Sequence, residues 1–435
     1  MRTAIFYACI IPFLCAISSL MAVYTPPEYV GGHSVWVARV PEESTVWKIA
    51  LIKNAKQSIE LATGFIGGEM FAKIVLLLRD QLLREPNLQV HLGVASCLLL
   101  DSGSEEVLKR IQQQFPNRFH YQITSMALSL KGGHWQTCEQ HVKLLVVDEK
   151  YFVTGGTNLY DSYCQSEVKD AEIFYFDPVK QFRPRACFDM DICCTGPLVQ
   201  DMRKRFFELW NVAGDANQRA YFPLQETPLA AVEEIDRDPR RVDSVPLRVI
   251  SSGPHLRYGQ CTDHYLYTMR KAEKCLDIMH MYLHPHKSIQ RELETTLERG
   301  LSLRIVTSGN SRNSFSPVPR AFGFFNRSYF APLSRAQIYE FAQDNVLYHK
   351  KVLIVDQRFS LIGSYNLGKK SHYGDYELVV DIDSPKVAKQ FLDVMEADIN
   401  YSDLCCESQA TCWYESLWYQ IVNGFQRLFI LGPVL

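Results

Sequence analysis

The chain has 435 residues, 47% of them hydrophobic and 22% charged, with a formal net charge of -2. That is the composition of an ordinary globular protein, and the length predicts two domains or two fused halves rather than one small core. With a near-neutral balance and no long basic run, a surface that tracks a nucleic-acid backbone along its whole length is disfavoured, while a local basic groove stays open.

In chain order, the first feature is residues 3–23, which follow Arg2 and carry no charge before the linker "YTPPEYVGGHS". A run of about 20 apolar residues is long enough to cross a bilayer. The one candidate cleavage point, after Ala22, has Leu20 two residues before it, which suits a signal peptidase poorly. The expectation is an uncleaved membrane anchor or export segment (transmembrane or signal), with a cleaved signal or a buried helix as alternatives. Residues 1–30 are therefore set apart from the catalytic fold.

A first half is expected over 45–215. "AKQSIELATGFI" (55–66) reads as a strand, "EMFAKIVLLLRDQLL" (69–83) as a helix and "LQVHLGVAS" (88–96) as a strand. A second half, expected over 248–400, repeats the order with "AEKCLDIMHMYL" (272–283), "SIQRELETTLERG" (288–300) and "LSLRIVTSG" (301–309). Strand, helix, strand at this spacing predicts right-handed crossovers in a mostly parallel sheet. Between the halves, 216–247 is charged and proline-bearing and reads as a solvated linker. The C-terminal stretch 401–435 reads as an aromatic helix with Trp413, Leu417, Ile421, Phe425 and Leu428 on one face, which suits a membrane interface or packing on the domain. "RAFGFFNRSYFAPL" (320–333) offers Phe322, Phe324, Phe325, Tyr329 and Phe330 as an acyl-chain entrance or a core plug. The 13 cysteines form no recognisable framework. Neither the group Cys187, Cys193 and Cys194 nor the group Cys405, Cys406 and Cys412 has zinc-ligand spacing, so no structural metal is expected.

Each half then carries the same motif: "HVKLLVVDEKYFVTGGTN" at 141–158 and "HKKVLIVDQRFSLIGSYN" at 349–366. In an extended chain His141 and Lys143 share one face and Asp148 takes the other, and the same holds for His349, Lys351 and Asp356. Asn158 and Asn366 are placed on the returning strands, after Gly155–Gly156 and Gly363–Ser364, whose small size permits close backbone approach. Past the motifs, "DMDICCTGPLV" (189–199) aligns without a gap on "ELVVDIDSPKV" (377–387), so Asp189 and Glu377 are matched carboxylates. One such strand alone would read as an edge strand with snorkelling side chains. Six shared positions arise by chance far less often than ~1 in a million per starting site.

Two His, two Lys and two Asn around one point suit phosphodiester chemistry. Lysine and asparagine donate to phosphate oxygens, one imidazole attacks phosphorus, and the other protonates the leaving oxygen. A nucleophilic imidazole needs its other nitrogen held, a role for Asp189 and Glu377. Asp148 and Asp356, with Gly155, Gly156, Gly363 and Ser364, are expected to shape the motif.

These residues resemble the phospholipase D superfamily, with its HxKx4D motif followed by GGxN or GSxN, over about residues 45–400. The resemblance implies an α/β fold of two pseudo-symmetric α/β/α sandwich halves sharing one active site, and catalysis with no metal or other cofactor. It implies that His141 is the nucleophile, supported by Asp189, that His349 is the acid and then the base, and that Glu377 is the counterpart of Asp189. Phe188, where many relatives carry Trp, and the insert 160–187 are departures. Two-motif proteins with an apolar N-terminus also occur in obligate intracellular bacteria such as chlamydiae. The expected substrate is a phospholipid at a membrane surface, cleaved or transferred by a chain sufficient as a monomer. The alternative is a nuclease acting on single-stranded nucleic acid, with loop aromatics stacking on bases.

Overall fold

The computed structural model describes residues 24–405 apart from 96–101, 125–126, 132–133, 165–185, 214–220, 222–223, 225–231, 255, 310–325, 328 and 344–345. The first half contributes β1 (Val30–Ala38), β2 (Ser58–Thr63), β3 (Gln89–Ala95), β4 (Phe119–Thr124), β5 (Leu144–Val147), β6 (Tyr151–Gly155) and β7 (Asp191–Thr195). The second contributes β8 (Val242–Ser252), β9 (Cys275–His280), β10 (Ser302–Ser308), β11 (Gln337–Phe341), β12 (Lys351–Val355), β13 (Phe359–Gly363) and β14 (Glu377–Asp383). With β15 (Ser402–Leu404) they form one 15-stranded sheet. Its order is β15-β11-β10-β9-β12-β13-β14-β8-β1-β7-β6-β5-β2-β3-β4.

From the central pair outward the two halves have the same topology, β1-β7-β6-β5-β2-β3-β4 against β8-β14-β13-β12-β9-β10-β11. The seam is an antiparallel pairing of β1 with β8, in irregular register from Val30↔Leu247 to Val35↔Val242. The fold is thus the expected pair of pseudo-symmetric α/β halves, fused edge to edge.

The sheet is mixed rather than mostly parallel. Within this sheet, parallel pairing is confined to β2-β3-β4 and β9-β10-β11. Each motif folds instead as a hairpin, β5–β6 and β12–β13, and a tight hairpin is necessarily antiparallel. The linker expected over 216–247 already becomes strand at Val242, and β1 lies N-terminal to the expected start of the first half.

Helices α1 (Pro41–Asn54), α2 (Gly68–Arg84) and α3 (Ser102–Gln114) follow in the first half, and α5 (Gln260–Arg270) and α6 (Lys287–Glu298) in the second. Ala50, Leu51, Ile74 and Leu78 bury against β2 and β3 in one core, and Tyr265, Met269, Ile289 and Leu293 against β9 and β10 in another. On the opposite face α4 (Leu198–Ala213) and α7 (Pro385–Ile399) share a core, joining Phe206 and Phe391 to Val35, Val37, Leu247 and Val249 of the seam. This apolar layer crosses the boundary, so neither half closes its own interior. No described helix is long and apolar enough to span a membrane. The expected N-terminal segment and the C-terminal aromatic helix beyond Cys405 lie outside the described residues.

Candidate active site

Each motif hairpin turns through two residues of positive φ, Asp148 (51°) and Glu149 (50°) in one half, Asp356 (53°) and Gln357 (58°) in the other. The Asp148 carboxylate accepts the backbone N–H groups of Lys56, Gln57 and Ser58 at 2.7, 2.8 and 2.8 Å. Asp356 accepts those of Glu273, Lys274 and Cys275 at 2.9, 2.7 and 3.0 Å. Both aspartates tie the turn to the start of the neighbouring strand, away from the histidines.

Two backbone ladders between the halves place the imidazoles. Ala186–Phe188 pairs in parallel with Val346–Tyr348, and Gln140 bridges to Tyr376. The His349 N–H donates to the Phe188 carbonyl at 2.9 Å, and the His141 N–H donates to the Tyr376 carbonyl at 3.1 Å. The residue after each carbonyl is a carboxylate, so the pairs cross between halves. His349 Nδ1 lies 2.5 Å from Asp189 Oδ2, and His141 Nδ1 lies 3.1 and 3.2 Å from the Glu377 oxygens. The expected support of His141 by Asp189 is thereby corrected. Sequence repetition shows that Asp189 and Glu377 are equivalent, but the ladders decide which histidine each one meets.

His141, Val142 and Lys143 lie ahead of β5, outside any regular element, whereas Lys351 opens β12. Both lysines are buried and curl back on their motif, with Lys143 Nζ donating to the His141 carbonyl at 2.5 Å and Lys351 Nζ to the His349 carbonyl at 2.6 Å. Lys351 Nζ also lies 2.9 Å from His349 Nδ1 and 3.3 Å from its Nε2. Asn158 and Asn366 sit just beyond the ends of β6 and β13 rather than on them. Asn158 Oδ1 accepts the N–H groups of Gly64 and Phe65 at 3.0 and 3.1 Å, and among the described residues its buried Nδ2 has no partner. Asn366 Oδ1 is likewise without a partner among the described residues.

Small residues in the motif have a direct steric cause. A Cβ at Gly156 would lie 2.2 Å from Asp189 Oδ1, and one at Gly363 would lie 2.1 Å from the Leu378 carbonyl oxygen. Gly155 likewise abuts Asp191 and the Met190 carbonyl. Ser364 departs from glycine with a purpose, since its hydroxyl donates to Glu377 Oε2.

Four contributors escaped the repeat comparison because the other half does not repeat their side chains. Ser371 donates to Glu377 Oε1 at 2.5 Å, Lys370 pairs with Glu139 at 2.9 Å, and the Tyr163 ring meets His349 edge-on at 4.9 Å. Asp375 is the fourth. Strand alternation carried two residues back from Glu377 is the signal that would have found it.

Burial and the neighbouring ammonium charges push both imidazoles down, His141 well below the usual histidine value and His349 to about 3. Each lysine acts on the histidine of the other half as well as its own, so the motifs share one electrostatic field. Burial, then the Lys351 charge, lowers Lys143 to about 7. Burial alone would raise Asp189, but His349 and Lys351 outweigh it and hold the carboxyl below its ordinary range. Glu377 is raised by burial, against the hydroxyls of Ser364 and Ser371. The site therefore holds neutral imidazoles with occupied Nδ1 atoms, and among the described residues His141 Nε2 makes no hydrogen bond. Lysines and amide groups around such a point are preplaced donors for an oxyanion.

Ligand atoms of His141, Asp375 and Glu377 lie within 4.8 Å of one another. His141 Nδ1 is already engaged by Glu377, and Lys143, Lys351 and Lys370 bear on the same point, a field that repels a cation.

Of the aromatic entrance expected at 320–333, Tyr329 and Phe330 pack against the core of the second half, and Phe322, Phe324 and Phe325 lie outside the described residues. Within the insert 160–187, Asp161 accepts the N–H groups of Glu69 and Met70 at the start of α2, and 165–185 are outside the described residues. The described cysteines Cys138, Cys164, Cys187, Cys193, Cys194, Cys261, Cys275 and Cys405 are all free thiols, and Cys406 and Cys412 lie outside the described residues.

A family model described as "Cardiolipin synthase, PLD-like domain" matches residues 265–399. Cardiolipin synthase A of Wigglesworthia glossinidia brevipalpis is 24% identical over 355 residues, 79% of this chain and 64% of that protein. The major cardiolipin synthase ClsA of Bacillus subtilis is 23% identical over 385 residues, 88% of this chain and 72% of its own length. The chain thus spans less than two thirds of the first of these relatives. Phosphatidylserine synthase from Haemophilus influenzae Rd KW20 superimposes with a TM-score of 0.65 at 16% identity, over 89% of this chain and 93% of that one, a likeness of fold. The PLD-like domain over 265–399, the similarity to cardiolipin synthases and the two complete motifs support the phospholipase D superfamily.

Proposed function

We propose that this protein is a metal-independent phosphodiesterase that transfers or hydrolyses phosphatidyl groups through a phosphohistidine. The crossed carboxylate–imidazole pairs carry the reading, because each half supplies the group that orients the other half's histidine. His141 Nε2 attacks phosphorus, forming an N–P bond as the P–O bond to the leaving alcohol breaks. His349 gives its Nε2 proton to the leaving oxygen, then takes one from an incoming alcohol or water as that oxygen displaces His141. Lys143, Lys351, Asn158 and Asn366 donate to the non-bridging oxygens, and Glu377 holds the Nδ1–H of the phosphorylated ring. A neutral His349 becomes an acid when an anionic phosphodiester offsets the lysine charges that push it down.

The relatives' names, cardiolipin synthase and phosphatidylserine synthase, favour a phospholipid over a nucleic acid. The charge-free segment at 3–23 favours work at a membrane surface, and the presence of both motifs in one chain favours a monomer. The test is to incubate chelator-treated protein with phosphatidylglycerol or phosphatidylcholine vesicles, with and without added alcohol, and separately with a single-stranded oligonucleotide. Consumption of lipid with transfer to the alcohol is expected. A cut oligonucleotide beside intact lipid, or activity that returns only with a divalent ion, would contradict the proposal.

A further inference from the structure

The two halves match closely except behind His141. Behind His349 stands Asp189, and two residues earlier comes Cys187, a buried thiol whose ionisation burial suppresses. Behind His141 stands Glu377, and the residue equivalent to Cys187 is Asp375, a second carboxyl only 4% exposed. Among the described residues its Oδ1 has no hydrogen-bond partner, and it lies 3.5 Å from Lys370 Nζ, an ammonium more closely engaged by Glu139 at 2.9 Å. One Asp375 oxygen, one Glu377 oxygen and one His141 ring nitrogen lie within 4.8 Å of each other.

Two buried carboxyls this close cannot both ionise cheaply, and a buried carboxylate oxygen without a donor is itself costly. A single proton held between them relieves both problems. Around Asp375 the facing charges are Lys370 and Glu377 from its own segment, with Glu139 and Lys143 from the stretch ahead of β5. Tyr282 faces it from the end of β9. We propose that Asp375 is a positioning residue for His141, sharing one proton with Glu377 and so setting how much negative charge Glu377 presents to Nδ1. The inference deepens the phosphohistidine reading and rests on it for its catalytic consequence. Burial, moderated first by Lys370, raises Asp375 to about 7, so the charge would change under physiological conditions.

The consequence is asymmetric chemistry from a nearly symmetric frame. Phosphorylation at Nε2 makes the His141 ring cationic, and a fully charged carboxyl pair stabilises that cation and slows its breakdown. With one proton on the pair, the phosphohistidine is a better leaving group. His349, with one carboxylate and a neutral thiol behind it, has no such adjustment.

The test has two arms, and the first needs no substrate. Carboxyl 13C resonances of Asp- and Glu-labelled protein are followed against pH in the wild type and in Asp375→Asn. Two linked titrations, one of them near pH 7, are expected in the wild type. In the variant Glu377 should keep a single titration at lower pH. Titration of Asp375 in the ordinary carboxyl range, or a Glu377 curve unchanged by the substitution, overturns the proposal whatever reaction the protein performs. The second arm measures the steady-state fraction of enzyme trapped as phosphohistidine on a phosphatidylglycerol substrate. A several-fold rise above pH 7 is expected in the wild type and a flat profile in Asp375→Asn. A rise of equal size in both would refute the catalytic role. No trapped label at any pH in either protein would refute the phosphohistidine reading, while the shared proton would still stand or fall on the titration curves.

Discussion

Within the first half, two aspartates perform different work, and substitution separates them. Asp148 accepts three backbone N–H groups far from any imidazole, so Asp148→Asn removes charge-assisted hydrogen bonds and should cost about 2–3 kcal/mol of stability. Its rate per folded molecule should stay close to wild type. Asp189→Asn leaves folding largely intact but loses the anion behind His349, and should lower turnover by about 100-fold or more. Denaturant melts beside initial rates check both, and equal catalytic loss in the two variants would contradict the division. Asp375 adds a pH signature to stability. Its folded value of about 7 lies above the ordinary 3.8, so between these values the folded state binds the extra proton and stability falls as pH rises. Asp375→Asn should reduce that fall to the part that Glu377 contributes, as thermal midpoints taken from pH 4 to pH 7 would reveal.

At the scale of elements, the hairpins and ladders explain what was legible in the sequence and what was not. The repeat exposed the crossover units, the motif side chains and the equivalence of Asp189 with Glu377, because a duplicated fold preserves register. It could not expose the crossed pairing, which depends on Phe188 meeting Tyr348 and Gln140 meeting Tyr376 across the halves. Nor could it expose Ser371, Lys370 or Asp375, whose side chains the first half does not repeat. A strand–helix–strand pattern overstates the parallel character of the sheet because it says nothing about the hairpin that follows. Gly156 offers a test at this scale. A methyl group there would strike the Asp189 carboxylate, so Gly156→Ala should displace the His349 partner and reduce activity at least as much as Asp189→Asn. An active alanine variant would mean that the β6–β7 contact is looser than described.

Over the whole molecule, the seam between β1 and β8 and the core shared by α4 and α7 make the halves interdependent. The matched family region, 265–399, lies entirely in the second half and lacks β8, Asp189 and the first histidine. A fragment covering residues 248–405 should therefore be inactive and prone to aggregate, because it exposes a sheet edge and part of the shared apolar layer. Sedimentation and lipid assays of that fragment would show this, and a soluble, active fragment would contradict it. The same interdependence underlies the catalytic account, in which His141 forms the covalent bond and His349 only moves protons. Removing the second histidine should then strand the intermediate on the first. The most direct measurement is digestion and mass analysis of His349→Asn after exposure to labelled phosphatidylglycerol. Acid-labile label on the peptide containing His141 is the predicted result, and substrate consumed with no label on any histidine would contradict the account.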